Sequence, residues 1–209
     1  MRHLQITILL VALMLTSTAN ADSYSNLTLG VGTAVGVNHT TSFQSDATAS
    51  FNSEFSIKVK ALRILGFEFS YAPTETETAA TDLVFDGSLR MSALLYVVPT
   101  RVVSAFLKVG VGANNFGDLV KPIGATSSYH AGLGLEVEAG DNFVIGAEFL
   151  FLAPGLGSVK NTIQAYANDE IDKLQNPARA NEAPAQEPEL KDFLSASNFR
   201  VAVGAKYFF

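Results

Sequence analysis

From residue 26 onward the chain alternates apolar and polar residues in one stretch after another. A period of two predicts strands with two unlike faces. In NLTLGVGTAVGVN, Leu27, Leu29, Val31, Thr33, Val35 and Val37 share one face, and Asn26, Thr28, Gly30, Gly32, Ala34 and Gly36 the other. FNSEFSIKVKA sets Phe55, Ile57, Val59 and Ala61 against Glu54, Ser56, Lys58 and Lys60, and RILGFEFSYAP sets Leu65, Phe67, Phe69 and Tyr71 against Gly66, Glu68 and Ser70. LVFDGSLRMSALLYVV opposes Phe85, Leu89, Met91, Ala93 and Leu95 to Asp86, Ser88, Arg90 and Ser92.

The fifth stretch, VVSAFLKVGVGA, places Val103, Ala105, Leu107, Val109 and Val111 opposite Ser104, Phe106, Lys108, Gly110 and Gly112. SYHAGLGLEVEA opposes Tyr129, Ala131, Leu133, Leu135 and Val137 to His130, Gly132, Gly134, Glu136 and Glu138. FVIGAEFLFLA opposes Phe143, Ile145, Ala147, Phe149 and Phe151 to Gly146 and Glu148. The last stretch, NFRVAVGAKYFF, opposes Phe199, Val201, Val203, Ala205, Tyr207 and Phe209 to Arg200, Ala202, Gly204, Lys206 and Phe208. Eight strands are predicted. Each alternates over about 10 residues, the length of a tilted strand crossing hydrocarbon, where strands of soluble proteins are more often about 5–6 residues.

The connections alternate as well. Short links are expected at Lys60 to Arg63, Val97 to Arg101 and Ala139 to Asn142, and longer polar ones at His39 to Thr48, Pro73 to Thr81, Asn114 to Ser127 and Pro154 to Ser195. Short turns at one end and long loops at the other predict an all-β, eight-stranded antiparallel up-and-down transmembrane β-barrel, with both termini at the short-turn end. In the last loop, VKNTIQAYANDEIDKLQ carries Val159, Ile163, Tyr166, Ala167, Ile171 and Leu174 near helical spacing, so a short helix is expected there. The following NPARANEAPAQEPELKD is rich in Pro, Ala and Glu and reads as disordered.

A soluble barrel turns its apolar face inward; a membrane barrel turns it outward. Here the polar face is rich in Gly, Ser and Ala, which suits a crowded eight-stranded interior better than a solvated exterior. Its charges balance: Glu54, Glu68, Asp86, Glu136, Glu138 and Glu148 against Lys58, Lys60, Arg90, Lys108, Arg200 and Lys206. A lumen network of ion pairs is therefore expected, because a buried unpaired charge costs several kcal/mol. Phe143, Tyr207 and Phe209 fall towards the short-turn end, and Phe69, Tyr71, Tyr129, Phe149, Phe151 and Phe199 towards the loop end. These are two aromatic girdles around an aliphatic middle, though without Trp.

Residues 1–21 add a compartment. MRHLQITILLVALMLTSTANA has a basic start, an apolar run from Ile6 to Leu15 and a small-residue exit at Ala19-Asn20-Ala21. It reads as a signal peptide cleaved after Ala21, leaving 22–209 as the barrel with 154–195 as a long extracellular loop. With no Cys in the chain, an exported domain must hold together by packing or a closed ladder rather than disulfides. The formal charge of −6 and the lack of any Lys/Arg-rich run argue against nucleic acid as a partner.

Taken together, the signal peptide, the eight strands and the terminal VAVGAKYFF resemble the small outer-membrane β-barrels of Gram-negative bacteria, of the OmpX/OmpA transmembrane-domain type. The resemblance implies an outer-membrane location, contact with outer-membrane lipid and lipopolysaccharide, and recognition of the last strand by the outer-membrane assembly machinery. That signal maps onto Val203, Ala205, Tyr207 and Phe209, with Ala205 smaller than the pattern favours. Phe208, by parity on the lumen side, is expected to cap the periplasmic mouth.

Catalytic chemistry is sparse. His130 follows Ser127 and Ser128 but is expected in the lumen, where it cannot serve a lipid substrate, and His39 lies in a polar stretch. Asp169, Glu170 and Asp172 lack the fixed Gly and terminal Glu of a calcium loop and read as helix-surface acids. Neither a cofactor nor a catalytic or metal site is expected. The reading is a non-enzymatic barrel, plugged by its ion pairs, whose loops serve envelope support, adhesion or binding of an unidentified extracellular ligand. A small porin-like solute channel is the alternative, and a lipid A-modifying enzyme a more distant one.

Overall fold

The computed structural model describes residues 27–42, 45–61, 64–73, 83–100, 102–121, 123–124, 126–176, 179, 189 and 193–209. The expected signal peptide, most of the Pro73–Thr81 link and nearly all of the Pro/Ala/Glu-rich half of the last loop lie outside these residues. Eight strands are present: β1 Leu27–Ser42, β2 Ser45–Ala61, β3 Leu65–Tyr71, β4 Leu89–Pro99, β5 Val103–Ala113, β6 Ser128–Glu138, β7 Phe143–Pro154 and β8 Phe199–Phe208. Each pairs antiparallel with its sequence neighbour, and β8 returns to β1, closing the barrel. Closure removes the open edges that would leave backbone groups unpaired.

The seam is tied beyond its ladder. Gly30 to His39 of β1 register with Phe208 to Phe199 of β8. Past the end of β8, the Phe209 amide donates to the Leu29 carbonyl at 2.8 Å, and the Asn142 side-chain amide donates to the Phe208 carbonyl at 2.6 Å. The last peptide group, the Phe208 carbonyl and the Phe209 amide, is thus held from both neighbouring strands' sides.

Several boundaries differ from the sequence expectation. The His39–Thr48 link is not a long loop: the β1–β2 ladder continues to Ser42 opposite Ser45. Its Thr and Ser residues carry little hydropathy signal but are tolerated in strands. β3 is only 7 residues long. Ala72 donates its amide to Ser88 on the β4 side at 2.8 Å, so Pro73, whose nitrogen carries no hydrogen, faces β2 and ends the ladder there.

Phe85 is the clearest correction. It was expected on the outward face, but β4 begins only at Leu89, and Leu83 to Ser88 fold in over the barrel mouth. Phe85 is buried there against Leu150 and Leu152. The Asn114–Ser127 link contains a one-turn helix, α1 Phe116–Leu119, whose cap is Asn115: its side-chain oxygen accepts from the Asp118 amide at 2.9 Å. The helix of the last loop, α2 Leu156–Gln175, starts three residues before the predicted stretch.

Candidate functional site

The parity of the strands decides what faces where. Odd-numbered residues of β2 and β3 point outward and even-numbered ones inward. Phe55, Phe67 and Val109 are 60%, 59% and 57% exposed, while their neighbours Glu54, Glu68 and Lys108 are almost wholly buried. The barrel is therefore inverted relative to a soluble one, with a buried polar lumen and an apolar exterior. At the loop end of the exterior, rings gather side by side. Phe149 stacks on Phe199 at 5.6 Å, meets Phe151 edge-on at 4.9 Å, and Phe199 stacks on His39 at 5.2 Å. At the other end Tyr207 meets Phe209 edge-on at 5.1 Å.

Inside, the charged side chains form one connected chain along the barrel. At the loop end, Arg90 donates to both oxygens of Asp86 at 3.0 Å and to Glu54. Arg200 also donates to Glu54, at 2.7 Å, and to the Asn52 side-chain oxygen at 2.6 Å. Asn38 donates to Asp86 at 2.7 Å. In the middle, Lys108 reaches Glu68 at 2.7 Å and Glu148 at 2.8 Å, and Arg200 Nε lies 3.8 Å from Glu148.

Towards the short turns, Lys58 bridges Glu68 at 3.0 Å and Glu136 at 2.7 Å, and Lys60 takes the second oxygen of Glu136 at 2.7 Å. Lys206 lies 3.3 Å from Glu68. Glu68 Oε2 receives no hydrogen bond of good geometry, yet two ammonium groups stand within 3.3 Å of it. Its charge is compensated by Coulomb attraction rather than by a directed bond.

Eleven of the twelve charged residues picked from the sequence meet in this chain. Glu138 does not: it is exposed at the end of β6, and none of the ion pairs among the described residues includes it. The lumen then holds six cations and five acids. Lys60 and Lys206, whose side chains are partly exposed, lie at the short-turn end of the lumen. There Lys60 also stands over the rings of Tyr96 and Phe208 at 4.8 and 4.5 Å, a cation–π arrangement.

Alternation places Phe106 on the inward face but leaves out Leu94 and Tyr96, the rest of a second lumen component. Leu94, Tyr96 and Phe106 form a small apolar cluster on the inward face, and the Tyr96 hydroxyl donates to Glu136 at 3.1 Å. The signal was present in the inward parity of Tyr96, which a bulky aromatic made easy to discount. Phe208 is buried beside Gly30 and Lys60. His130 is buried in the lumen and bonded to Ser92 at 2.8 Å, not to Ser127 or Ser128. The pair has no lipid-facing side. Asp169, Glu170 and Asp172 bind Lys173 and Arg179, and no acid or His cluster among the described residues is arranged for a metal ion.

Closed, eight-stranded, antiparallel and turned inside out, the fold is an up-and-down barrel with an ion-paired lumen. No family model matches the sequence, and no curated protein does. Among solved structures the chain is similar to a barrel from the de novo design of transmembrane β-barrels, at 13% identity and a TM-score of 0.42, over 87% of this chain and 95% of that one. It is similar as well to Ail, the attachment invasion locus protein of Yersinia pestis, at 14% identity and a TM-score of 0.41, over 87% of this chain and 98% of that one.

Proposed function

We propose that this chain is a bacterial outer-membrane barrel whose lumen is plugged by its own ion pairs and whose loop end is presented at the cell surface. The observation that carries the reading is the inversion of its faces. A predominantly apolar exterior on every strand, with the charges turned inside, is stable where the surrounding solvent is hydrocarbon. In water the same exterior would be an apolar patch far larger than a soluble monomer carries.

The interior supports a plug rather than a pore. A cavity of about 20 Å³ lies between Glu54, Phe106, Glu148 and Lys206, room for roughly one water molecule. A conducting path would have to break several charge-assisted contacts in series. The loop end is closed further by Phe85 and Asp86. The natural partners are outer-membrane lipid and lipopolysaccharide around the belt, and the outer-membrane assembly machinery at Val203, Ala205, Tyr207 and Phe209. The loops then act in envelope support, adhesion or binding.

Fractionation of cells expressing the full chain tests the location. Recovery with outer membranes, and gel migration that changes on boiling, are the expected results; a protein soluble in buffer without detergent would refute the reading. Planar-bilayer recording tests the plug, for which steady single-channel conductance is the refuting outcome.

A further inference from the structure

Helix α2 turns its apolar face away from the rest of the molecule. Its first turns are anchored on the loops over the mouth: Ser158 accepts from the Val84 amide at 3.1 Å, and Thr162 is buried. On the opposite side, Leu156, Ile163, Ala167, Ile171 and Leu174 are exposed, Leu174 to 87%. Steps of three, four and seven residues place them in one stripe. Lys160 lies within the stripe and Glu170 on its edge.

We propose that this stripe pairs with the same stripe of a second copy of the chain, the two helices running antiparallel. Charge complementarity selects both the occupant and the direction. With a two-fold axis level with residue 165, Leu156 meets Leu174 of the second copy, Val159 meets Ile171, and the bulky Ile163 meets the small Ala167. Lys160 then stands opposite Glu170, a carboxylate that already holds Lys173 at 3.2 Å and takes Lys160 as a second ammonium partner, and the axis repeats each contact. A parallel pair would instead set Lys160 against Lys160 and Glu170 against Glu170, which repel.

Other occupants fit less well. A helix that lies on a lipid surface carries Lys and Arg on its polar face, whereas Asp169 and Asp172 dominate here and Lys173 is already engaged with Asp169 at 2.8 Å. The chain's own stretch 177–192 offers a single large apolar side chain, Leu190, too little to cover a stripe of five positions. Self-association through a surface helix would let barrels cluster without contact between their lipid belts.

The absence of Cys in the chain allows a direct test. Full-length Leu156→Cys and Leu174→Cys chains, distinguished by tags of different length, are mixed in detergent micelles and in phospholipid vesicles and then oxidised. The two positions lie about 27 Å apart along one helix at 1.5 Å per residue. A mixed Leu156→Cys/Leu174→Cys dimer is expected, with little Leu156→Cys self-dimer. Self-dimers in place of the mixed species would overturn the antiparallel arrangement. Chains that stay monomeric, or a label at position 174 shielded by vesicles without any cross-link, would overturn the pairing itself. Ile163→Glu combined with Ile171→Glu should lower the mixed cross-link at least tenfold while the boiling-dependent gel shift persists; an unchanged yield would refute the stripe.

Discussion

Arg200 of β8 and Glu54 of β2 meet at 2.7 Å although β1 lies between their strands in the ladder. The contact is a chord through the lumen, and Glu54 also receives Arg90 from β4. One carboxylate therefore joins three strands by a route independent of the backbone ladder.

Removing Glu54 should consequently cost more than its own contacts suggest. Glu54→Ala leaves Arg200 and Arg90 short of a partner in a buried interior, and breaking such a pair typically costs about 3–5 kcal/mol. The double variant Glu54→Leu/Arg200→Met should lose distinctly less, because only Arg90 then loses a partner and it keeps Asp86 at 3.0 Å. Urea unfolding in lipid vesicles, read by far-UV circular dichroism, gives both values. A single-variant loss below about 1 kcal/mol would show that water reaches this end of the lumen.

Gly30 and Phe208 are matched in shape. A methyl group added at Gly30 would lie 2.6 Å from the edge of the Phe208 ring. Gly30→Ala should destabilise the closing joint by about 1–3 kcal/mol, the usual range for overpacking. Phe208→Ala alone should open a cavity, and the double variant should recover part of the combined loss. Strict additivity in that cycle would rule out the contact.

The outward belt predicts a response that depends on the solvent. Val109→Arg places a guanidinium on the exterior near the middle of β5 and should cost about 2–4 kcal/mol in a bilayer. If the unfolding free energy in vesicles is unchanged, the face does not contact hydrocarbon.

Asp118, outside the barrel wall, is sensitive to acid. The Thr126 hydroxyl, donating at 2.7 Å, and the Asn115 side chain hold its carboxyl below the usual value near 3.8. A carboxyl lowered in the folded state contributes stability above its unfolded value, and that contribution is lost as pH falls through the folded value. Acidification below about pH 4 should therefore loosen the β5–β6 connection before the barrel. Hydrogen exchange at the Thr126 amide reads this directly. Protection that stays constant down to pH 2, or an Asp118 titration above its usual value, would contradict the assignment.

Strand number, face assignment and the identity of most lumen charges were legible in the chain because a period of two survives any loop geometry. Eleven of the twelve charged residues share a lumen for no reason beyond parity. The exception, Glu138, has the right parity but sits at the rim, and parity carries no information about depth. Phe85 shows the converse failure: its alternation is sound, but β4 begins only at Leu89, so among the described residues no ladder holds it on the outer face.

Which charges touch was decided only by the tertiary structure. The Arg200–Glu54 chord, the Ser92–His130 bond and the fit of Phe208 to Gly30 depend on strand register and on closure, which bring residues up to about 180 positions apart to one level of the barrel. Alternation sets which side of a sheet a residue occupies, a local property of the backbone. Its neighbour across the lumen is set by the curvature and stagger of the whole closed sheet, and no short stretch of sequence encodes that.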